Sequence, residues 1–101
     1  MVKSKVVWSD TTLNQRRQIF EYCNLRNGNT KYSERIRVSI NNRIKLITKS
    51  PEAFLNVDFV NTHVTVIEKF KLFYRIYLEI IMITAFWDTR QDPEKLSKIL
   101  K

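Results

Sequence analysis

The feature that most constrains this chain is a stripe of isoleucines. Tyr32, Ile36, Ile40, Ile44 and Ile47 recur at spacings of four and three between Thr30 and Lys49. A helix turns about 100° per residue, so these side chains fall on one strip of its surface. Such a strip has to be buried against a second layer. The remainder of this helix is basic, with Lys31, Arg35, Arg37, Arg43, Lys45 and Lys49 set against Glu34. Pro51 disfavours helical geometry at Ser50 and stops the helix there.

An earlier helix is predicted from about Thr11 to Arg26. Leu13, Ile19, Phe20 and Cys23 gather on one broad side of it, with Tyr22 at the edge. Asp10 is the expected N-cap, its carboxylate accepting from the free amides of the first turn. Asn27-Gly28-Asn29 is a stop signal, and Gly28 can take the left-handed conformation that closes a helix. So short a connection makes the two helices an antiparallel hairpin. Ahead of them, Lys5-Val6-Val7-Trp8-Ser9 is rich in β-branched and aromatic residues and reads as a strand.

The remainder is predicted to be β-structure. Thr62 to Glu68 is one strand. Phe70 to Tyr77 is the next, with Phe70, Leu72, Tyr74 and Ile76 facing one way and Lys71, Phe73, Arg75 and Tyr77 the other. Ile80 to Phe86 is the most apolar segment and is expected inside the sheet. Short connections make these three an antiparallel meander. Asp92-Pro93 should break the sheet, leaving Glu94 to Leu100 as a helical turn or a tail. The expected fold is α+β, in two layers and in the order β-α-α-β-β-β. A helical hairpin packs on a mainly antiparallel four-stranded sheet whose other face is partly open.

Residues 1–101 are expected to form a single domain. The balance of 18 Lys+Arg against 10 Asp+Glu gives +8, which serves solubility or marks a polyanionic partner. Cys23 is alone, so neither an intrachain disulfide nor a cysteine-based metal site can form. The N-terminus lacks an apolar signal core and no run reaches membrane-spanning length, so a cytoplasmic location without membrane contact is expected.

No standard catalytic motif is present, and neither a metal nor a cofactor is expected. His63 is the only histidine, and its reading is structural or solvated. The face of Lys71, Phe73, Arg75 and Tyr77 has two readings. In one, the cations take phosphates and the rings stack on unpaired bases. In the other, Phe73 and Tyr77 are core and the cations reach round to solvent. Arg43 and Lys45 belong either to a solvated helix face or to a footprint for RNA or an acidic partner. In the closing run Phe86-Trp87-Asp88-Thr89-Arg90-Gln91-Asp92-Pro93, Arg90 has the fork to grip a phosphate and Asp88 can orient it. The bland alternative is a salt bridge closing the sheet edge.

The element order, the strand Phe70-Lys71-Leu72-Phe73-Tyr74-Arg75-Ile76, the opening Val6-Val7-Trp8-Ser9 and the Trp87–Pro93 ending together resemble RelE/ParE superfamily toxins of bacterial type II toxin–antitoxin systems. The ending is similar to a subgroup closing on "FWDxRQDP". The resemblance implies a cognate antitoxin that neutralises the chain. RelE-like members cut mRNA on the ribosome without a metal, using cationic and acid–base side chains. ParE-like members poison DNA gyrase. For the first activity the resemblance makes Lys71, Arg75 and Arg90 the catalytic candidates. Phe73, Tyr77, Trp87, Asp88, Arg43 and Lys45 are the candidates for contacts to RNA or a partner. RNase members usually carry a Tyr, often with a His, in the C-terminal segment; after Trp87 this chain has neither, and Tyr77 or Glu68 is the substitute proton donor. Ribosome-dependent cleavage is the first expectation. Gyrase poisoning, or an inactivated relative that only binds an antitoxin, is the alternative.

Overall fold

The computed structural model describes residues 5–56 and 62–89. Strand β1 (Lys5–Trp8) leads into helices α1 (Asp10–Asn27) and α2 (Lys31–Lys49). A single 3-10 turn, Pro51–Ala53, follows, and then strands β2 (Leu55–Asn56), β3 (Thr62–Ile67), β4 (Phe70–Ile76) and β5 (Ile80–Asp88). The strands lie in the order β1-β5-β4-β3-β2. β1 runs parallel to β5, and the other neighbours are antiparallel. This is the two-layer α+β arrangement expected, with the helical hairpin on one face. The addition is β2, which pairs with the outer edge of β3. Two residues are too few to show a period, so only the pairing reveals them.

The isoleucine stripe forms the centre of the core. Ile36, Ile40 and Ile47 are buried against Ile67, Phe70, Leu72, Tyr74, Ile81, Ile83 and Phe86, with Tyr32 and Ile44 packed at the margin. Gly28 closes α1 at φ 71° and ψ 12°, and its amide bonds back to the Asn24 carbonyl, as its place in the sequence required. α2 ends at Lys49, just ahead of Pro51.

α1 departs from expectation. Its N-cap is Ser9, whose hydroxyl accepts from the Thr12 amide at 3.1 Å, and Asp10 is the first helical residue instead. There its charge still favours the positive end of the helix. Ile19 and Phe20 pack on the core, but Leu13 is 39% exposed and Tyr22 lies on the surface. The fully buried residue of α1 is Thr12.

The reason lies in β5. Its register against β4 slips between Phe73 and Tyr74, leaving Thr84 as an extra residue on β5. Ile81 and Ile83 face the helices before this bulge, whereas Phe86 does so after it, with Ala85 and Trp87 turned to the opposite face. β1 stops pairing at Trp8↔Ile83, so β5 beyond that point has no strand on this edge. The first turns of α1 bond this edge of β5 instead. Gln15 Oε1 accepts from the Phe86 amide at 2.9 Å, and Thr12 Oγ1 is a second donor, at 3.1 Å, to the Ile83 carbonyl that already accepts from the Ser9 amide. Buried backbone groups need such partners.

No helix among the described residues is long and apolar enough to cross a membrane.

Candidate functional site

The sheet face turned away from the helices carries four of the candidates, Lys71, Phe73, Arg75 and Trp87. Val64, Phe73, Ala85 and Trp87 make a small apolar cluster there. Lys71 lies beside it, exposed, between Val66 on β3 and Trp87 on β5. Arg75 is half-buried on the same face, and its Nε donates to Thr62 Oγ1 at 3.2 Å. Four residues of strand separate the two cations by about 13 Å. Phe73, between them, is 5% exposed and Trp87 7%. Neither offers a free ring face for stacking, which is the core reading of Phe73. Trp87 Nε1 is buried without a hydrogen-bond partner among the described residues.

Tyr77 follows the end of β4 and is 49% exposed. Its backbone closes the β4–β5 hairpin, the Tyr77 amide donating to the Ile80 carbonyl at 2.8 Å. Of the Tyr77 readings, the exposed one holds. Asp88 is the last residue of β5, half-buried and opposite Phe70. Arg90 lies outside the described residues, as do Gln91, Asp92-Pro93 and the segment Glu94 to Leu100.

The basic face of α2 divides. Arg43 is turned inward, its Nη1 bonded to Thr65 Oγ1 and to the Val66 carbonyl, the latter at 3.1 Å. Its guanidinium also lies 5.8 Å from the Phe54 ring centroid. It therefore ties α2 to β3. Lys45 stays exposed. Arg35 forms a surface ion pair with Glu68 at 2.8 Å. Glu68, in the β3–β4 turn, has φ 54°, a conformation that side chains other than glycine's rarely take.

Two other groups suited to proton transfer, His63 and Tyr74, lie on the helix side of the sheet. His63 stacks on Tyr74, with ring centroids 5.3 Å apart and planes 15° from parallel. Its Nδ1 lies 3.2 Å from the Phe54 carbonyl. The Tyr74 hydroxyl donates to the Pro51 carbonyl at 2.6 Å, and burial pushes its pKa up to about 12. Both side chains anchor the segment after α2 to the sheet, the structural reading of His63. No group of three His, Cys, Asp or Glu residues able to hold a metal exists among the described residues.

A second feature is not foreshadowed by the sequence pattern. α1 and α2 enclose a groove lined by Leu13, Arg16, Arg17, Phe20, Glu21 and Arg37, among others. Arg16 lies over the Trp8 ring, 4.6 Å from its centroid. Burial, and then the neighbouring Arg37, lower its pKa. A run of three basic or polar residues at Gln15–Arg17 signals nothing by itself. Only the hairpin brings Arg37 opposite them.

No family model matches the sequence, and no curated protein matches it. Among solved structures, a chain of the chromosomal ParDE toxin–antitoxin system from P. aeruginosa superposes with a TM-score of 0.75 at 12% identity, over 87% of this chain and 98% of that one. At that identity the likeness is one of fold, and nearly the whole of the other chain takes part. The arrangement of a helical hairpin on this mixed sheet is therefore a RelE/ParE-like fold.

Proposed function

We propose that this chain is the toxin of a type II toxin–antitoxin pair, held inactive by a cognate antitoxin. We further propose that it stops growth by binding, in the manner of the gyrase poisons that the resemblance brings in, rather than by cutting mRNA. The shared fold with a ParDE chain supports the first part. One observation carries the second. His63 and Tyr74 are buried on the helix side of the sheet and already bonded, while Lys71 and Arg75 lie on the opposite face. In-line attack by a ribose hydroxyl needs acid and base groups within hydrogen-bond reach of the phosphate that the cations hold. A binding surface has no such requirement.

Cleavage keeps one point in its favour. Tyr77, two residues on from Arg75 and just past the end of β4, is exposed. Induced expression without antitoxin separates the two. The expected result is growth arrest, a DNA-damage response and intact transcripts, with purified chain trapping gyrase on DNA. Cleaved transcripts, abolished by Tyr77→Phe, would transfer the assignment to the RNase reading. Harmless expression would leave only an antitoxin-binding relative.

A further inference from the structure

The groove between α1 and α2 is built unlike the rest of the surface. Arg16 and Arg17 line it from α1 and Arg37 from α2, and among the described residues Glu21 is its one lining carboxylate. Among the described residues no carboxylate pairs with any of these three arginines. Arg17 bonds to its helical neighbour, Nη2 donating to Asn14 Oδ1 at 3.0 Å. The Arg16 guanidinium lies over Trp8, 4.6 Å from the ring centroid, in a cation–π contact. A solvated cation avoids a like charge. Here two are brought together over a half-buried floor that includes Phe20.

We propose that this groove binds the phosphate backbone of a polynucleotide, with Arg16 and Arg37 gripping one phosphodiester from opposite helices and Arg17 reaching the next. The two non-bridging oxygens of a diester can each accept from a guanidinium fork. An anion between Arg16 and Arg37 relieves their mutual repulsion, which the bare groove does not. Arginine at all three positions suits phosphate, since its planar fork matches that group where lysine offers only a point charge. Leu13 and Phe20 give sugars and bases an apolar surface to lie on. The excess charge of +8 supplies the wider attraction that a chain of phosphates feels. The site lies on the helical layer, away from the sheet face that carries Lys71 and Arg75, and does not depend on which target the toxin meets.

The test is fluorescence anisotropy of the purified full chain with labelled single-stranded DNA and RNA of about 20 nucleotides, at several salt concentrations. Arg37→Ala should weaken binding several-fold and reduce the slope of log K against log salt by about 0.7, one phosphate contact on a single strand. Arg16→Lys keeps the charge and loses the fork, so it should fall between Arg37→Ala and the unaltered chain. Lys5→Ala removes the same charge from an exposed position on β1 and should leave the slope close to that of the unaltered chain. Circular dichroism of each variant confirms that the fold survives. Equal losses in Lys5→Ala and Arg37→Ala would overturn the site, because binding would then be diffuse. Binding of a polyglutamate peptide, or of inorganic phosphate, without binding of either oligonucleotide would also overturn it.

Discussion

α2 meets the sheet through Ile36, Ile40 and Ile47, none more than 1% exposed, while α1 meets it through Ile19 and Phe20 at the margin and through two polar side chains, Thr12 and Gln15. The first contact is non-directional and grows with the apolar area removed from water. The second is directional and local: it adds a donor to the Ile83 carbonyl and supplies the acceptor for the Phe86 amide where β1 has ended. A helix with a clean stripe can dock on any apolar face of the right width. A helix that bonds Ile83 and Phe86 is held at one position and one rotation. In this hairpin, α2 provides most of the adhesion and α1 provides the register.

The division of labour between the helices is most exposed to test at its strong end. Ile40 is fully buried. Ile40→Ala should cost about 2–5 kcal/mol, measured by urea denaturation. A cost below about 1 kcal/mol would mean that the stripe does not dominate the adhesion.

Next comes the polar bond that fastens the exit of α2. Tyr74 carries its proton up to about 12 in the folded chain, against 10.0 ordinarily, because burial disfavours the phenolate. As pH rises, the unfolded chain loses this proton first. The contribution of Tyr74 is therefore complete below pH 10 and is lost as pH climbs through about 12. Each pH unit between those two values is worth roughly 1.4 kcal/mol, so the loss amounts to about 2–3 kcal/mol. Tyr74→Phe should flatten that part of the alkaline stability profile, while costing about 1 kcal/mol at neutral pH for the bond to Pro51. Parallel alkaline profiles for the two proteins would refute the assignment.

For α1 the decisive residue is Gln15. Gln15→Ala leaves the Phe86 amide buried without an acceptor, at a cost of about 1–3 kcal/mol. Amide exchange at Phe86 should quicken more than at Ile81, which distinguishes a lost bond from general loosening. The smallest effect is expected at Leu13, 39% exposed despite its place in the apolar pattern of α1. Leu13→Ala should change stability by less than about 1 kcal/mol. A loss of about 2 kcal/mol or more would place Leu13 in the core and erase the difference between the helices.

Legible in the residues alone were the helical hairpin, the isoleucine face, the left-handed stop at Gly28 and the alternation of β4, down to which residues of β4 share a face. Each follows from local sterics or from a period repeated over several turns or strand pairs, and neither needs a distant residue. The basic character of the chain and the absence of paired catalytic histidines were legible in the same way. The rest was settled by the packed fold. The bulge at Thr84 reverses the faces of β5, so strict alternation there misassigns Ala85. Thr12 and Gln15 became anchors because β1 ends at Trp8, a fact about pairing and not about either residue. Among the candidates, Lys71 and Tyr77 stayed exposed, Phe73 and Trp87 were drawn into a cluster, and Arg43 was taken up by Thr65 and Val66. His63 and Tyr74 were placed across the sheet from the cations. Arg16 and Arg37, 21 positions apart in the chain, became neighbours only when the hairpin closed. Composition reports how many charges a chain carries; which of them face one another is settled by packing, because close approach of distant residues depends on every contact that folds the chain between them.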